Sequence, residues 1–218
     1  STPIKSSAAS DVYKRQKYDS AEALEEALNE KNLESNEELA ETVQEALVED
    51  SLADQVSVSF TAQYVQLSMK GALLFDSGSD SLKDQAKAVL DKVGVILERY
   101  GSNSTIEIEG HTDNVPMPSY DTDSYIANVI LSQKRSLSVL KYFRKMEVFK
   151  KYTSEQQRLL EFWFTANGLS YGKSLDNNGD YTIVTGNDID KNKSRRVEFR
   201  IVTSGDEILE NFVNKNKN

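Results

Sequence analysis

The chain has 218 residues, 38% of them hydrophobic and 28% charged, with a net charge of -9; that is long enough to bury a core of its own. The absence of cysteine and the single histidine exclude disulfide scaffolds, zinc ribbons, cysteine nucleophiles and multi-histidine metal sites. The acidic total argues against nucleic acid as a partner, and no apolar run approaches the ~20 residues that span a bilayer.

Residues 6–16, SSAASDVYKRQ, resemble the translation of a transposase sequencing adapter, against the plainer alternative of a polar N-terminal extension. On that reading residues 1–16 are set aside from fold reasoning, and the native chain is expected to begin near Lys17, with its own N-terminus upstream. Residues 17–53 read as an acidic helical linker. Between 18 and 50 there are twelve acids and one base, Lys31. That block carries -11 of the net -9, so the acidity is local and the other residues sum to +2. Ala, Leu and Glu favour helix. Leu24 and Leu28, then Leu39, Val43 and Leu47, recur at fours and give a thin apolar stripe, with a break predicted over 32–36. A solvated spacer is the expected role; a packing helix is the alternative.

Residues 54–205 carry the patterns of a folded domain. Val56, Val58 and Phe60, and then Val65, Leu67 and Met69, alternate with polar residues and predict two strands. Leu82, Ala86, Val89, Leu90, Val93, Leu97 and Tyr100 share one face of a helix, with Asp80 or Ser81 as its predicted cap. Ile106 and Ile108 predict a strand that ends at Glu109-Gly110-His111-Thr112-Asp113. Pro116 and Pro118 make 114–125 a loop. A helix is predicted over 128–145, burying Ile130, Leu137, Leu140 and Phe143. Thr153 and Gln156 form a capping box for a third helix that carries Leu159, Leu160, Trp163 and Phe164 into the core. Residues 166–194, rich in Gly, Asn and Asp, read as an irregular excursion. Val197, Phe199 and Ile201 alternate as a last strand, and the tail from Gly205 (206–218) is expected to add at most one short helix. The fold class is α+β: a two-layer sandwich with helices on one face of a small mixed sheet.

Polar residues collect where strands end and helices begin. Asn128, Ser132 and Arg135, spaced four and three, share a helical face opposite Asp113. An Asp and an Arg so placed can bracket a zwitterion, carboxylate to ammonium and guanidinium to carboxylate. On the physics alone a structural Asp113–Arg135 ion pair is the simpler account. His111 as a general base lacks a nucleophile elbow to serve, and a structural histidine bonded to the loop is expected. The Asp176–Asp180 and Asn187–Asp190 runs look like fragments of calcium loops, but lack the spacing and terminal Glu of one, so turn chemistry is expected there.

Gly110-His111-Thr112-Asp113, Asn128-x-x-Leu131-Ser132-x-x-Arg135 and Arg195-Arg196-Val197 together resemble the OmpA-like peptidoglycan-binding domain. Leu74-Phe75-Asp76-Ser77-Gly78-Ser79 and Ile108 to Pro116 resemble that domain as it occurs in MotB-type flagellar stator proteins, over roughly residues 64–203. The resemblance implies non-catalytic binding of peptidoglycan, with no cofactor. In it Asp113 and Arg135 hold the diaminopimelate of the stem peptide, Thr112, Asn128 and Leu131 line the groove, and Arg195 and Arg196 fall in the N-R-R-V pattern, whose Asn is Ser194 here. It further implies a homodimer, a MotA-like channel subunit reached through an upstream membrane helix, and a place on the cell-wall side of the plasma membrane. A peptidoglycan-anchoring lipoprotein or outer-membrane protein, and a wall-acting enzyme, are the alternatives.

Overall fold

The computed structural model describes residues 21–101 and 104–203. The adapter-like segment and the tail helix expected from Gly205 lie outside the described residues. Helix α1 (Ala21–Glu49) leads into strands β1 (Val56–Phe60) and β2 (Tyr64–Lys70), the single turn α2 (Gly71–Leu74) and helix α3 (Asp84–Gly101). Strand β3 (Thr105–His111), helix α4 (Ser124–Phe143), the turn α5 (Glu147–Lys150), helix α6 (Ser154–Trp163) and strand β4 (Phe164–Gly168) follow. Two turns, α7 (Thr182–Thr185) and α8 (Lys191–Ser194), precede the last strand β5 (Arg196–Val202). The sheet order is β1-β2-β5-β3-β4. Every pairing is antiparallel except β3 with β4, so the sheet is mixed as expected.

Strand alternation sorts the sheet into two unlike faces. Leu67, Met69, Ile106, Ile108, Val197, Phe199 and Ile201 join the buried cluster formed with Leu90, Val93 and Leu97 of α3 and Val139 and Phe143 of α4. The opposite face carries Glu109, His111, Arg196, Glu198 and Arg200, all buried. The excursion after β4 closes over part of this charged face, where the Lys173 carbonyl accepts from Arg196 Nη2. Its Asp, Asn and Gly residues make turns, as expected. Asp176 Oδ1 accepts from the N–H groups of Asn178 and Asp180, and its Oδ2 accepts from the Asn187 side chain at 2.7 Å. Ser194 ties the far end of the excursion back by hydrogen bonds with both backbone groups of Leu175.

Several local expectations are corrected. The break over 32–36 is absent, because Asn36 is buried and exchanges its helix-weakening tendency for tertiary bonds: it donates to Thr61 O and accepts from Thr203 Oγ1, each at 2.7 Å. From there on α1 packs rather than spaces, burying Ala40, Val43, Ala46 and Leu47 against β1, β2 and α3. Helix α3 begins at Asp84 rather than after a cap at 80–81, since Leu82 is drawn into a bridge with Phe75. Helix α4 begins four residues before Asn128, capped by Asp123 Oδ1, which accepts from Tyr125 N at 2.8 Å and Ile126 N at 3.2 Å. Its buried face is accordingly Ala127, Leu131, Val139 and Phe143, with Leu137 exposed. Finally, Phe164 ends the third helix and opens β4; Trp163 and Phe164 are both core, as expected.

Candidate functional site

Beneath the mouth of the groove, α4 approaches the sheet closely. A Cβ built on Gly110 would lie 2.4 Å from Ser132 O, and one on Gly168 would lie 2.3 Å from Gln133 N. Glycine at both positions lets the helix backbone sit directly on β3 and β4. Ser132 Oγ accepts from Ser170 N at 3.1 Å, and Gln133 bonds both Ala166 O and Gly168 N, which fixes the helix in rotation. This docking sends Asn128, Leu131 and Arg135 into one groove of about 230 Å³, which Thr112, Asp113 and Arg195 also line.

Arg135 is 7% exposed, and its only hydrogen bonds among the described residues go to carbonyls, Nε to Ser79 O at 2.8 Å and Nη2 to Asp76 O at 3.2 Å. The guanidinium lies over the Phe75 ring, 5.1 Å from its centroid, a favourable place for a cation. Burial, and after it the charge of Arg195, lowers its pKa from the ordinary arginine value; an arginine still stays charged. No carboxylate pairs with it among the described residues, so the groove holds a desolvated cation whose direct contacts are two carbonyl dipoles and a ring face.

Asp113 does not pair with Arg135. Its Oδ1 accepts from Val115 N at 3.1 Å, and its Oδ2 accepts from Nε of Arg195 and lies in ion-pair contact with Nη2 of the same guanidinium. The structural Asp113–Arg135 ion pair is therefore replaced by Asp113–Arg195, across 82 residues of chain. Asn128 donates to Val115 O and Ser124 O, both at 3.0 Å, and so braces the loop that roofs the groove. Thr112 is buried, with its Oγ1 unpartnered among the described residues.

Arg196 does not join these residues. It starts β5 and points to the charged sheet face, where Nε donates to Glu198 Oε1 at 2.6 Å. His111 points the same way, with Nε2 at 3.1 Å from Glu198 Oε2 and 3.4 Å from Glu109 Oε2. It is thus a partner of buried carboxylates, not of the loop, and it parts company with Asp113 because β3 ends at His111. Burial pushes Glu198 up, but the hydrogen bond and charge of His111 and then Arg196 outweigh it and hold the carboxyl at about 2. Glu109, His111 and Glu198 are close enough to hold a metal ion. Arg196 and Arg200 already balance the two carboxylates, however, so a dication there would leave a buried site two charges positive. The set suits a charge network.

Several groove residues carried no role in the sequence reading. The 74–79 run supplies the Phe75 ring and the two carbonyls that hold Arg135, and Gly78, at φ +69, makes the turn that aims them. Lys83, paired with Asp76 at 3.1 Å, and Met117 complete the rim. The signal was the length of the polar turn between two apolar runs, which had no partner until α4 was in place.

Residues 74–179 match the OmpA family. Over 141 residues the chain is 32% identical to the Zorya protein ZorB of Escherichia coli, covering 62% of this chain and 55% of that protein. The chain spans about half the length, or less, of the curated relatives it matches. Among solved structures, a MotB-like protein from Desulfovibrio vulgaris superposes with a TM-score of 0.59 at 22% identity, over 79% of this chain and 97% of that one. The cell wall anchor of the T6SS from Pseudomonas aeruginosa gives 0.52 at 23% identity, over 73% and 96%. At these identities the likeness is one of fold. Residues 74–179 thus match the OmpA family, on a fold that the chain shares with a MotB-like protein.

Proposed function

We propose that the domain binds peptidoglycan without cleaving it, gripping the diaminopimelate end of a stem peptide between Asp113 and Arg135. The observation that carries this reading is Arg135 itself, a buried guanidinium without a carboxylate partner among the described residues, sharing a groove with an Asp. A ligand carboxylate would complete Arg135 through a two-pronged pair, and the ligand ammonium would go to Asp113. Thr112, Asn128, Leu131 and Arg195 line the same groove and belong to this reading; Arg196 supports the fold behind it. The binding unit is residues 54–205 together with the docked half of α1.

A non-catalytic role is supported by the position of His111, buried in the charge network and turned away from the groove. A role in anchoring a membrane protein to the cell wall, as in a MotB-type stator, is supported by the OmpA-family match of residues 74–179 and by the fold shared with a MotB-like protein and with the T6SS cell wall anchor. On this reading the domain lies outside the plasma membrane, works as a homodimer, and serves a channel subunit of the MotA kind. No helix among the described residues is long and apolar enough to cross a membrane.

The test is co-sedimentation with purified peptidoglycan sacculi. The chain is expected in the pellet, with no soluble muropeptides released. A chain that stays in the supernatant, or one that liberates muropeptides, contradicts the proposal. Sedimentation of the full chain reads the dimer, and a monomer at high micromolar concentration would remove it from the account.

A further inference from the structure

The two halves of the proposed clamp differ in readiness. Among the described residues Arg135 faces the groove hydrogen-bonded only to carbonyls, whereas both oxygens of Asp113 are engaged, one by Val115 N–H and the other by the Arg195 guanidinium through an Nε hydrogen bond and ion pairing. The cation that a ligand ammonium would have to replace is therefore part of the chain. We infer that Arg195 is a displaceable internal competitor for the ammonium subsite, so that the groove opens only to a ligand end carrying an ammonium and a carboxylate together. This rests on the binding reading proposed above.

The geometry says which partner moves. The Asp113 side chain is 7% exposed and that of Arg195 is 40% exposed. The Arg195 backbone is fixed on both sides: its N–H donates to Lys191 O at 3.1 Å, and its carbonyl accepts from Gly71 N at 2.7 Å. Gly71 approaches so closely that a Cβ there would meet the same carbonyl at 3.1 Å. Displacement is thus a rotamer change of one long side chain, with no movement of β5 or of the excursion.

Electrostatics says what drives the exchange. Arg135 and Arg195 crowd one groove with a single carboxylate between them, Asp113, since the other carboxylate that lines it, Asp76, is paired with Lys83. A lone amine that evicts Arg195 trades one cation for another at Asp113 and gains little. A ligand that also brings a carboxylate to Arg135 pairs the desolvated guanidinium, and the tether makes the second contact intramolecular. Swinging Arg195 out then separates two like charges. The two-point requirement is selectivity by exclusion as much as by attraction.

Calorimetry on the full chain tests this with two tripeptide probes, L-Ala-γ-D-Glu-meso-diaminopimelate with its side-chain amine free, and the same peptide with that amine acetylated. Arg195→Gln removes the competitor, and Arg195→Lys leaves a cation with a single ammonium in place of the fork. Because a half-exposed ion pair is weak, Arg195→Gln should bind the free-amine peptide about threefold to tenfold more tightly than wild type. The acetylated peptide should bind both proteins alike, and Arg195→Lys should fall between them. Weaker binding of the free-amine peptide by Arg195→Gln makes Arg195 a ligand contact and overturns the inference. So does an equal change for both peptides. If wild type binds neither peptide, the binding reading itself falls and the competitor with it; thermal melting of each variant verifies that a folded protein is being measured.

Discussion

Replacing Gly110 by alanine puts a Cβ 2.4 Å from Ser132 O and 3.1 Å from Ser132 C, both backbone atoms that no rotamer change can relieve. Restoring an ordinary contact of 3.4 Å requires a retreat of about 1 Å by α4 from β3. The helix is held against that retreat by Ser132 Oγ to Ser170 N and by the two bonds of Gln133 to β4. Overpacking of a close-packed contact costs about 1–3 kcal/mol, and a backbone-to-backbone clash belongs at the upper end, so a loss of about 3 kcal/mol is expected. Since α4 also carries Asn128, Leu131 and Arg135, the same shift should loosen the groove. Urea unfolding read by tryptophan fluorescence measures the first effect; calorimetric binding of a diaminopimelate peptide in the folded baseline measures the second. Wild-type stability and wild-type binding in Gly110→Ala would refute the argument that this close approach positions the site.

The charged sheet face should make stability depend on acid. Glu198, held at about 2 against an ordinary 4.5, contributes stability fully above about pH 4.5 and loses it as the pH falls toward 2. That is worth up to about 3 kcal/mol, and Glu198→Gln should flatten the acid limb of melting temperature against pH. Arg196→Ala strands a buried carboxylate and should cost about 3–5 kcal/mol of stability, yet the fraction that remains folded should bind sacculi as wild type does, as co-sedimentation below the melting transition would show. Asn36→Ala removes two buried hydrogen bonds that hold α1 to the sheet; about 1–3 kcal/mol is expected, with hydrogen exchange rising in α1 before it rises in β5.

Much of this fold is visible in residue spacing. The period-two runs that became β1, β2, β3 and β5 each bury one side against the helices, and Thr153 with Gln156 makes both bonds of its capping box. The exceptions have tertiary causes. β4 reads Phe-Thr-Ala-Asn-Gly, with no alternation to betray it, and becomes a strand by pairing with β3. Asn36 looked like a helix breaker because its partners, Thr61 and Thr203, lie 25 and 167 residues away. At the site, Asp113 and Arg135 stood out by motif, but their pairing did not, since it depends on where Arg195 reaches. That Arg196 leaves the groove was legible: it alternates with Val197, which faces the core, so consecutive arginines at the start of β5 face opposite sides. The 74–79 turn stood out by motif, but its part in the groove did not, because it contributes backbone carbonyls, which every residue possesses.

The central claim is that Asp113 and Arg135 grip opposite charges of one ligand, and calorimetry of the diaminopimelate tripeptide with Asp113→Asn, Arg135→Lys and Arg135→Ala addresses it most directly. Arg135→Lys keeps the charge but loses the fork and should bind clearly more weakly. Arg135→Ala should cost about 2–5 kcal/mol of binding, and Asp113→Asn should lose discrimination between the free and acetylated amine. Each variant should hold a melting temperature high enough to be folded throughout the titration. Variants that bind like wild type, or whose loss of binding tracks only their loss of melting temperature, would contradict the account.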